Sequence, residues 1–489
     1  MPIAPDVLFA TAEITPWVKT GGLGDVSAAL PPAVRATGAN LRLLVPAYPA
    51  MRAAFADAPV VAALPPFAGL PGPAQLRLAQ GPHGLPIYLL DCPSAFDRPG
   101  NPYLDADGLD WPDNALRFGL LSYAAALLGS AESPLDWRPH VLHCNDWQTA
   151  LAPAYLALMG WAQPARSIVG IHNLAYRGLF DQSLMMPLGL PASAWRFDGV
   201  EFYGQLSFLK AGLQYADAIT TVSPTYAREI QTSEGGCGLD GLLRHRTAVL
   251  AGIINGIDTT EWNPATDKHL DGDYVRYDSA RLAQKTRNAA ALRAEMGLPA
   301  RPDLPLIGIV SRLVEQKGLD LVPAIADALA ELPVQLAVLG SGNHDIENAF
   351  RAMAEARPDL FAVRIGFNEA LSHRIEAGAD LFLMPSRFEP CGLNQMYSLH
   401  YATPPIVRAT GGLADTVIDA ADPQRGDGFV FADATPAALL DAVRRAVDCW
   451  RDKPRFATLQ RHGARADFSW RRPAMAYLDI YRKLARAGK

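Results

Sequence analysis

A chain of 489 residues is longer than one hydrophobic core usually supports, so its length predicts two or three domains. Its 49% hydrophobic and 19% charged residues are typical of a folded protein. A net charge of −6 argues against a general nucleic-acid-binding or anionic-membrane-binding surface, so any anionic ligand must be bound locally.

The cysteines and the N-terminal residues indicate where such a chain functions. The five cysteines are scattered without the paired spacing of a zinc site or a disulfide framework, and they are Cys92, Cys144, Cys237, Cys391 and Cys449. The N-terminal stretch has no basic segment before an apolar core, and no apolar run is long enough to cross a bilayer. We therefore expect a cytoplasmic protein.

Apolar strand-like runs alternate with helical segments along almost the whole chain, which predicts α/β architecture with parallel sheets. Predicted strands of the first half are 7–12, 41–45, 86–90, 141–143, 167–171 and 218–222, with helices at 114–128 and 147–159. A polar, turn-rich segment at 255–305 predicts the crossover between two halves. Predicted strands of the second half are 306–310, 335–339, 363–365, 381–384 and 405–407, and a terminal helix is predicted at 477–487.

Three loops at the ends of predicted strands carry candidate anion-binding groups. Lys19 precedes the glycines of the first loop, where the backbone can approach a ligand closely, although a plain glycine-rich turn remains an equal alternative. Arg312 and Lys317 bracket the second loop, at the corresponding place in the second half. The third region contains Glu389 after one strand and a glycine pair that opens a helix after the next, which suits a polyol linked to a phosphate.

Other motifs have a simpler interpretation. His143 lies next to a cysteine, which more often indicates packing than a metal site. The two D-x-D pairs, Asp105 with Asp107 and Asp271 with Asp273, lie in polar loops and are more typical of solvated turns than of a metal clamp. No G-x-S-x-G segment indicates a serine hydrolase, and no convincing fingerprint indicates a dinucleotide oxidoreductase.

Seven segments together closely resemble the bacterial glycogen synthase and plant starch synthase family. They are KTGGLGDV from Lys19, HCNDWQTALAPAYL from His143, GIHNLAYRG from Gly170, INGID from Ile254, SRLVEQKG from Ser311, SRFEPCGLNQMYSLHYAT from Ser386 and TGGLADTV from Thr410. They appear in the family's order and span nearly the whole chain. The resemblance implies a GT-B fold, in which two Rossmann-like doubly wound domains face each other across a cleft.

The resemblance also implies the domain limits and the reaction. The first domain would comprise residues 1–255 with a returning C-terminal helix at about 470–489, and the second, with the crossover, residues 256–469. The implied reaction transfers glucose from ADP-glucose to the non-reducing end of glycogen or another α-1,4-glucan primer, with retention of configuration. No metal or cofactor and no nucleic-acid or membrane partner is implied.

The site residues implied by the resemblance fall into three groups. The implied catalytic residues are Glu389, Arg312, Lys317, His172 and Asp146. The implied donor-binding residues are Lys19, Gly21, Gly22, Arg312, Lys317, Phe367, Glu389, Cys391, Gly392, Leu393, Thr410, Gly411 and Gly412. The implied acceptor-side residues are Asp146, Asn173 and Tyr103.

Two positions depart from the family pattern, and alternatives to the implied function stay open. Phe367 stands where a tyrosine often stacks on the adenine, and the segment around Tyr103 matches only loosely. UDP-glucose remains an alternative donor, because backbone contacts and one stacking ring discriminate poorly between nucleobases. A non-catalytic glucan-binding or nucleotide-binding relative is a further alternative, although it would be expected to have lost Lys19, Arg312, Lys317 or Glu389.

Overall fold

A computed structural model describes residues 4–487, which form two compact units. One unit contains the described residues up to Asn255 together with those from Trp470 onward, and the other is Gly256–Ser469. Both units are α/β, as the alternating pattern of the sequence predicts.

The first unit is built on a nine-stranded sheet with the order β12-β11-β7-β6-β1-β2-β5-β4-β3. Its strands are β1 Asp6–Ala10, β2 Asn40–Pro46, β3 Val60–Leu64, β4 Ala74–Gln80, β5 Pro86–Asp91, β6 Val141–Asn145, β7 Arg166–Ile171, β11 Ala218–Thr221 and β12 Leu250–Gly252. A second, small antiparallel sheet contains β8 Leu179–Phe180, β9 Glu201–Phe202 and β10 Gln205–Ser207. The large sheet is parallel except where β4 pairs with β3 and β5.

The helices of this unit before Asn255 are α1 Gly22–Ala36, α2 Pro49–Ala54, α3 Pro93–Phe96, α4 Asn114–Leu128, α5 Ala152–Leu158, α6 Phe208–Tyr215, α7 Pro224–Glu229 and α8 Asp240–His245. Two details correct the expectations from sequence. The helix predicted at 147–159 begins only at Ala152, because Asp146 has a left-handed backbone conformation and turns follow it. The antiparallel pairing of β3 and β4 was not predicted.

The second unit has a six-stranded, wholly parallel sheet with the order β15-β14-β13-β16-β17-β18. Its strands are β13 Leu306–Leu313, β14 Gln335–Gly342, β15 Phe361–Ile365, β16 Leu381–Met384, β17 Pro405–Arg408 and β18 Phe429–Phe431. Its helices are α9 Lys285–Met296, α10 Ala326–Glu331, α11 His344–Ala356, α12 Glu369–Gly378, α13 Asn394–His400, α14 Gly411–Thr416, α15 Pro436–Arg451 and α16 Lys453–Arg465.

Alternating residues of β13 pack into two separate cores. Ile307 and Ile309 belong to one cluster of buried side chains, whereas Leu306 belongs to the other and Val310 packs against it. Because successive strand residues point to opposite faces, the sheet is covered on both sides, as parallel sheets require.

The final helix, α17 Arg471–Ala487, belongs to the first unit and contacts α1 and β6. It begins six residues before the predicted start at residue 477. Its buried face includes Tyr477, Leu478 and Tyr481. The Oη atom of Tyr481 lies 2.7 Å from Nδ1 of the buried His143, so this histidine fastens the helix to β6.

Candidate active site

In the first unit, the strand order reverses between β1 and β6. In open α/β sheets, ligands bind beyond the carboxyl ends of the strands at such a reversal. The loops that follow β1 and β6 carry Lys19 and Asp146, respectively. The topology therefore places these two predicted site residues at the expected edge of the sheet.

Glu13 organises the loop that follows β1. Its buried carboxylate accepts hydrogen bonds from the backbone N–H of Thr20 at 2.6 Å, from the Thr20 hydroxyl at 2.6 Å and from the Gly21 N–H at 3.3 Å. The Tyr103 hydroxyl donates a fourth bond to it at 2.6 Å. The glycine-rich loop is thus folded around a carboxylate of the same chain.

The predicted residues of this loop have defined partners. Lys19 Nζ lies 2.9 Å from the Asp25 carboxylate, which also accepts a hydrogen bond from the Thr15 hydroxyl. Gly21 precedes α1 in an extended conformation, and Gly22 is the first residue of that helix. Lys19 is 43% exposed, so its surface ion pair with Asp25 is weak enough to be exchanged for a ligand anion.

Asp146 is a buried carboxyl with a strained backbone. Its φ angle is 54°, in the left-handed region, and its side chain accepts hydrogen bonds from the backbone N–H groups of His172 at 2.7 Å and Asn173 at 3.4 Å. Burial raises the pKa of Asp146 to about 7, against the opposing effect of those hydrogen bonds. A carboxyl group with this pKa is present in both its protonated and its ionised form at neutral pH. Groups with such shifted pKa values concentrate at functional sites.

His172 has a defined tautomer. The Asn145 side-chain amide donates to the Ala10 carbonyl, which turns its oxygen towards His172 Nε2 at 3.0 Å. His172 therefore donates from Nε2 and keeps a lone pair on Nδ1. Burial lowers the pKa of His172 to about 4, so the ring is neutral at physiological pH.

The remaining predicted residues of the first unit lie close to these groups. Besides donating to Glu13, Tyr103 packs its ring against Phe118 and Trp147. Burial, followed by the charge of Glu13, raises its pKa well above the usual value, so Tyr103 stays a hydrogen-bond donor. The Asn173 side chain accepts a hydrogen bond from the backbone N–H of Ala175, which fixes the turn after β7.

In the second unit, the strand order reverses between β13 and β16, so the loops after these strands again define the expected ligand edge. Arg387 ties the two loops together. It forms a two-pronged ion pair with Asp320 and donates to the Glu315 carbonyl at 3.0 Å, while its backbone N–H donates to Gln316.

The structure brings together two predicted catalytic residues, Lys317 and Glu389. Lys317 Nζ donates to Glu389 Oε2 at 2.6 Å, and the Ser386 hydroxyl donates to the same oxygen at 3.0 Å. The side chains of Lys317 and Glu389 are only 20% and 6% exposed. A charged acceptor and a charged donor are therefore held in partly dehydrated positions, where electrostatic interactions are stronger than in water.

Arg312 is the exposed cation of this edge. It lies near the carboxyl end of β13, and within residues 4–487 its guanidinium has no ion-pair partner. A planar guanidinium with five donors is well suited to a diphosphate.

The glycine pair Gly411-Gly412 lets two turns pack closely. A Cβ atom on Gly411 would lie 1.9 Å from the Glu389 carbonyl oxygen, and one on Gly412 would lie 2.1 Å from the Cys391 carbonyl oxygen. The Gly412 N–H donates to the Glu389 carbonyl at 3.1 Å. Glycine is therefore required here for packing against the Glu389 turn as well as for any ligand contact.

Other predicted donor-side residues surround the same turn. Cys391 is buried, which agrees with a small packing side chain, and Gly392 has a φ angle of 71°. Leu393 and Thr410 immediately precede α13 and α14. Phe367 lies apart from these contacts, after β15, with 81% of its surface exposed.

One aspartate of each D-x-D pair has a partner within the protein. Asp271 pairs with Arg374 at 2.8 Å, and Asp105 accepts backbone hydrogen bonds of its own loop from Asp107 and Leu109. Neither pair belongs to a group of three potential metal ligands among residues 4–487.

Sequence reasoning missed several residues that support the site. Glu13, Asn145, Ser386 and Arg387 each hold a predicted residue or its loop in place. One signal was available for Glu13, because it follows a buried apolar strand just as Glu389 does. The others depend on contacts made only in the fold.

Comparisons with known proteins show which family the chain resembles. Residues 6–245 match the family described as the starch synthase catalytic domain, and residues 296–461 match glycosyl transferases group 1. A glycogen synthase of Dechloromonas aromatica is 57% identical, with 97% of this chain and 98% of that protein covered. The chain belongs to the glycogen synthase and starch synthase family. It is therefore a glycosyltransferase.

Further members of the family also align with nearly the whole chain. A glycogen synthase of Aromatoleum aromaticum is 55% identical, with 97% of this chain and 96% of that protein covered. The solved catalytic domain of starch synthase IV from Arabidopsis thaliana, bound to ADP and acarbose, is 33% identical. Its TM-score is 0.85, and the alignment covers 99% of this chain and 100% of that one, which confirms the GT-B fold. No helix within residues 4–487 is long and apolar enough to span a membrane.

Proposed function

We propose that this family member transfers glucose from ADP-glucose to the 4-hydroxyl group at the non-reducing end of an α-1,4-glucan, with retention of the anomeric configuration. The observation that carries the proposal is the contact between Lys317 and the buried Glu389 at the strand-order reversal of the second unit. This contact places a cation that can bind a phosphate beside a carboxylate that can bind sugar hydroxyls. A nucleotide sugar contains both of these groups.

Similar proteins support this choice of substrates. The relatives with the highest identity quoted above are glycogen synthases, which supports a glucan as acceptor. The starch synthase IV structure contains ADP, which supports ADP-glucose over UDP-glucose as donor.

In the proposed reaction, the second unit handles the charge of the leaving group. Negative charge develops on the β-phosphate as ADP departs, and Arg312 and Lys317 stabilise it more strongly in the transition state than in the ground state. Glu389 accepts hydrogen bonds from glucose hydroxyls, and the backbone at Gly411-Gly412 contacts the diphosphate. With two side-chain cations available for this charge, we propose that the transfer needs no metal ion or other cofactor.

We assign the sugar and acceptor side to the first unit. His172 lies beneath the donor glucose as a neutral ring, because its pKa of about 4 excludes an imidazolium at neutral pH. Asp146, Asn173 and Tyr103 lie towards the acceptor. Lys19, together with Gly21 and Gly22, covers the donor after exchanging the Asp25 carboxylate for the ligand.

Neither Asp146 nor Glu389 is well prepared to act as a nucleophile. Asp146 is partly protonated at neutral pH, and Glu389 already accepts hydrogen bonds from Lys317 and Ser386. A retaining glycosidase uses an ionised carboxylate as its nucleophile. We therefore propose a front-side route, in which the departing phosphate accepts the proton of the attacking hydroxyl. A trapped glucosyl-enzyme in Asp146→Asn or Glu389→Gln would contradict this route.

The experiment for the proposed function measures incorporation of labelled glucose into glycogen from ADP-glucose and, separately, from UDP-glucose. We expect incorporation from ADP-glucose by the wild type and loss of it in Glu389→Ala. The control Glu331→Ala changes an exposed carboxylate at the end of α10 and should retain the activity. Preference for UDP-glucose would contradict the donor assignment, and no incorporation from either donor would favour a non-catalytic relative.

A further inference from the structure

Three potential metal ligands converge in the second unit. The carboxylate of Glu261 and ring nitrogens of His269 and His373 lie within 4.8 Å of one another. Glu261 and His269 precede β13 in the chain, whereas His373 lies on α12. None of the three belongs to the residues assigned to the reaction above.

His373 is held in the orientation typical of a metal-binding histidine. Its side chain is fully buried, and its Nδ1 atom lies 2.9 Å from the Asp267 carboxylate. A carboxylate at Nδ1 fixes the proton there and leaves the lone pair of the neutral ring on Nε2. Trp262, the neighbour of Glu261, stacks on the ring with centroids 3.8 Å apart, which holds the ring plane.

The same aspartate positions the second histidine. The backbone N–H of His269 donates to Asp267 Oδ1 at 2.8 Å, and its carbonyl accepts a hydrogen bond from Arg374 at 3.0 Å. The ring centroids of His269 and His373 are 4.5 Å apart. One carboxylate therefore orients both candidate ligands, and carboxylates that hydrogen-bond to ligating histidines commonly support a metal in this way.

Both inward nitrogens lack the hydrogen bonds that buried polar atoms normally have. Within residues 4–487, the Nε2 atoms of His269 and His373 are buried and have no hydrogen-bond partner. The nearest carboxylate oxygen to His373 Nε2, on Glu369, is 3.6 Å away, beyond hydrogen-bond distance. Leaving such groups unpaired costs free energy, and a shared metal ion would satisfy both.

Glu261 supplies the charge that two neutral imidazoles do not. Its carboxylate is 44% exposed and pairs with Lys268 Nζ at 2.8 Å. An ion pair this exposed is weak, so a divalent cation can displace it.

We propose that Glu261, His269 and His373 bind a divalent transition metal of the zinc class, with water completing the coordination. Two imidazole nitrogens and one carboxylate oxygen form a donor set that zinc accepts, whereas magnesium prefers oxygen ligands throughout. Such an ion would join the segment before β13 to α12. Metal binding is independent of the proposed function and can be measured without the transfer reaction.

The test uses full-length protein that has been treated with EDTA and desalted. Zn²⁺ is titrated by calorimetry into the wild type, into His269→Ala and into the control His344→Ala, which changes a histidine whose side chain is 92% exposed. We expect one Zn²⁺ per chain for the wild type and the control, and affinity at least about ten-fold weaker for His269→Ala. Mg²⁺ in excess should not compete.

A second measurement tests whether a cysteine binds the metal instead. The Co²⁺-loaded protein should show visible d–d absorption without a thiolate charge-transfer band, and His269→Ala should lose that absorption. No Zn²⁺ binding by the folded wild type would overturn the proposal. Equal affinities of His269→Ala and His344→Ala, or a thiolate band, would also overturn it.

Discussion

Lys317 Nζ lies 2.6 Å from Glu389 Oε2, and this contact joins the loops that follow β13 and β16. The side chains of Lys317 and Glu389 are 20% and 6% exposed, so both charged groups are partly removed from water. Their mutual attraction is the main interaction that offsets the free-energy cost of this dehydration. The pair therefore serves the fold of the second unit as well as the proposed chemistry.

A double-mutant cycle measures this coupling. Lys317→Met leaves Glu389 nearly buried without its cation, and we expect the free energy of unfolding to fall by about 2–4 kcal/mol. Glu389→Gln in the Lys317→Met background should recover part of that loss, with a coupling free energy of about 1–3 kcal/mol. Urea unfolding of all four proteins gives the value. Additive single effects would show that the contact contributes no coupling.

Replacement of Arg312 should lower the activity without changing the stability. Because its guanidinium is exposed and has no ion-pair partner in residues 4–487, Arg312→Ala should change the free energy of unfolding by no more than about 0.5 kcal/mol. Loss of a donor to the developing charge should lower kcat/KM for ADP-glucose by about 10²–10³-fold. Arg312→Lys should retain more of the wild-type kcat/KM than Arg312→Ala, but not all of it. Unchanged kcat/KM would remove Arg312 from the diphosphate site.

The buried carboxyl of Asp146 should make stability depend on pH. Burial raises its pKa from the ordinary value of 3.8 to about 7. Between these values the folded state binds more protons than the unfolded state, so this group makes stability fall as the pH rises.

Asp146→Asn removes that dependence and can still accept the His172 N–H bond. The free energy of unfolding of the variant, minus that of the wild type, should rise between about pH 4 and 7 and level off above about pH 8. Denaturant unfolding across this range measures the difference. His172, whose pKa is lowered to about 4 by burial, contributes the opposite slope to both proteins. A difference that does not vary with pH would contradict the raised pKa.

Phe367 tests the proposed adenine contact. Its ring is 81% exposed, so Phe367→Ala should leave stability unchanged. Loss of stacking should raise the KM for ADP-glucose and the inhibition constant of ADP about five- to fifty-fold. Phe367→Tyr keeps the ring and should behave as the wild type. Equal ADP inhibition of the alanine variant and the wild type would place the adenine elsewhere.

The sequence predicts best what depends on strands and their ends. Arg312, Lys317 and Glu389 were predicted because apolar runs end beside polar residues, and parallel topology then collects those ends at one edge. The last two strands at one end of the sheet, β4 and the edge strand β3, were missed because the stretch between them is rich in proline and glycine.

The site features that the sequence did not predict depend on contacts between residues that are far apart in the chain. Glu13 binds Tyr103, 90 residues further along the chain, and no local pattern indicates that bond. Lys19 was expected to reach a phosphate, but in this structure it pairs with Asp25. His269 and His373 have no metal-site spacing in the sequence, since their meeting depends on how α12 packs beside the segment before β13.

The most direct measurement of the central claim locates newly transferred glucose in the product. Glycogen labelled for a short time with ADP-[¹⁴C]glucose is digested with an exo-acting enzyme that cleaves only α-1,4 linkages from non-reducing ends. The account predicts that nearly all the label is released in the first products, because each glucose is added at a non-reducing end with its α configuration retained. Label that resists this digestion, or glycogen that acquires none, would contradict the account.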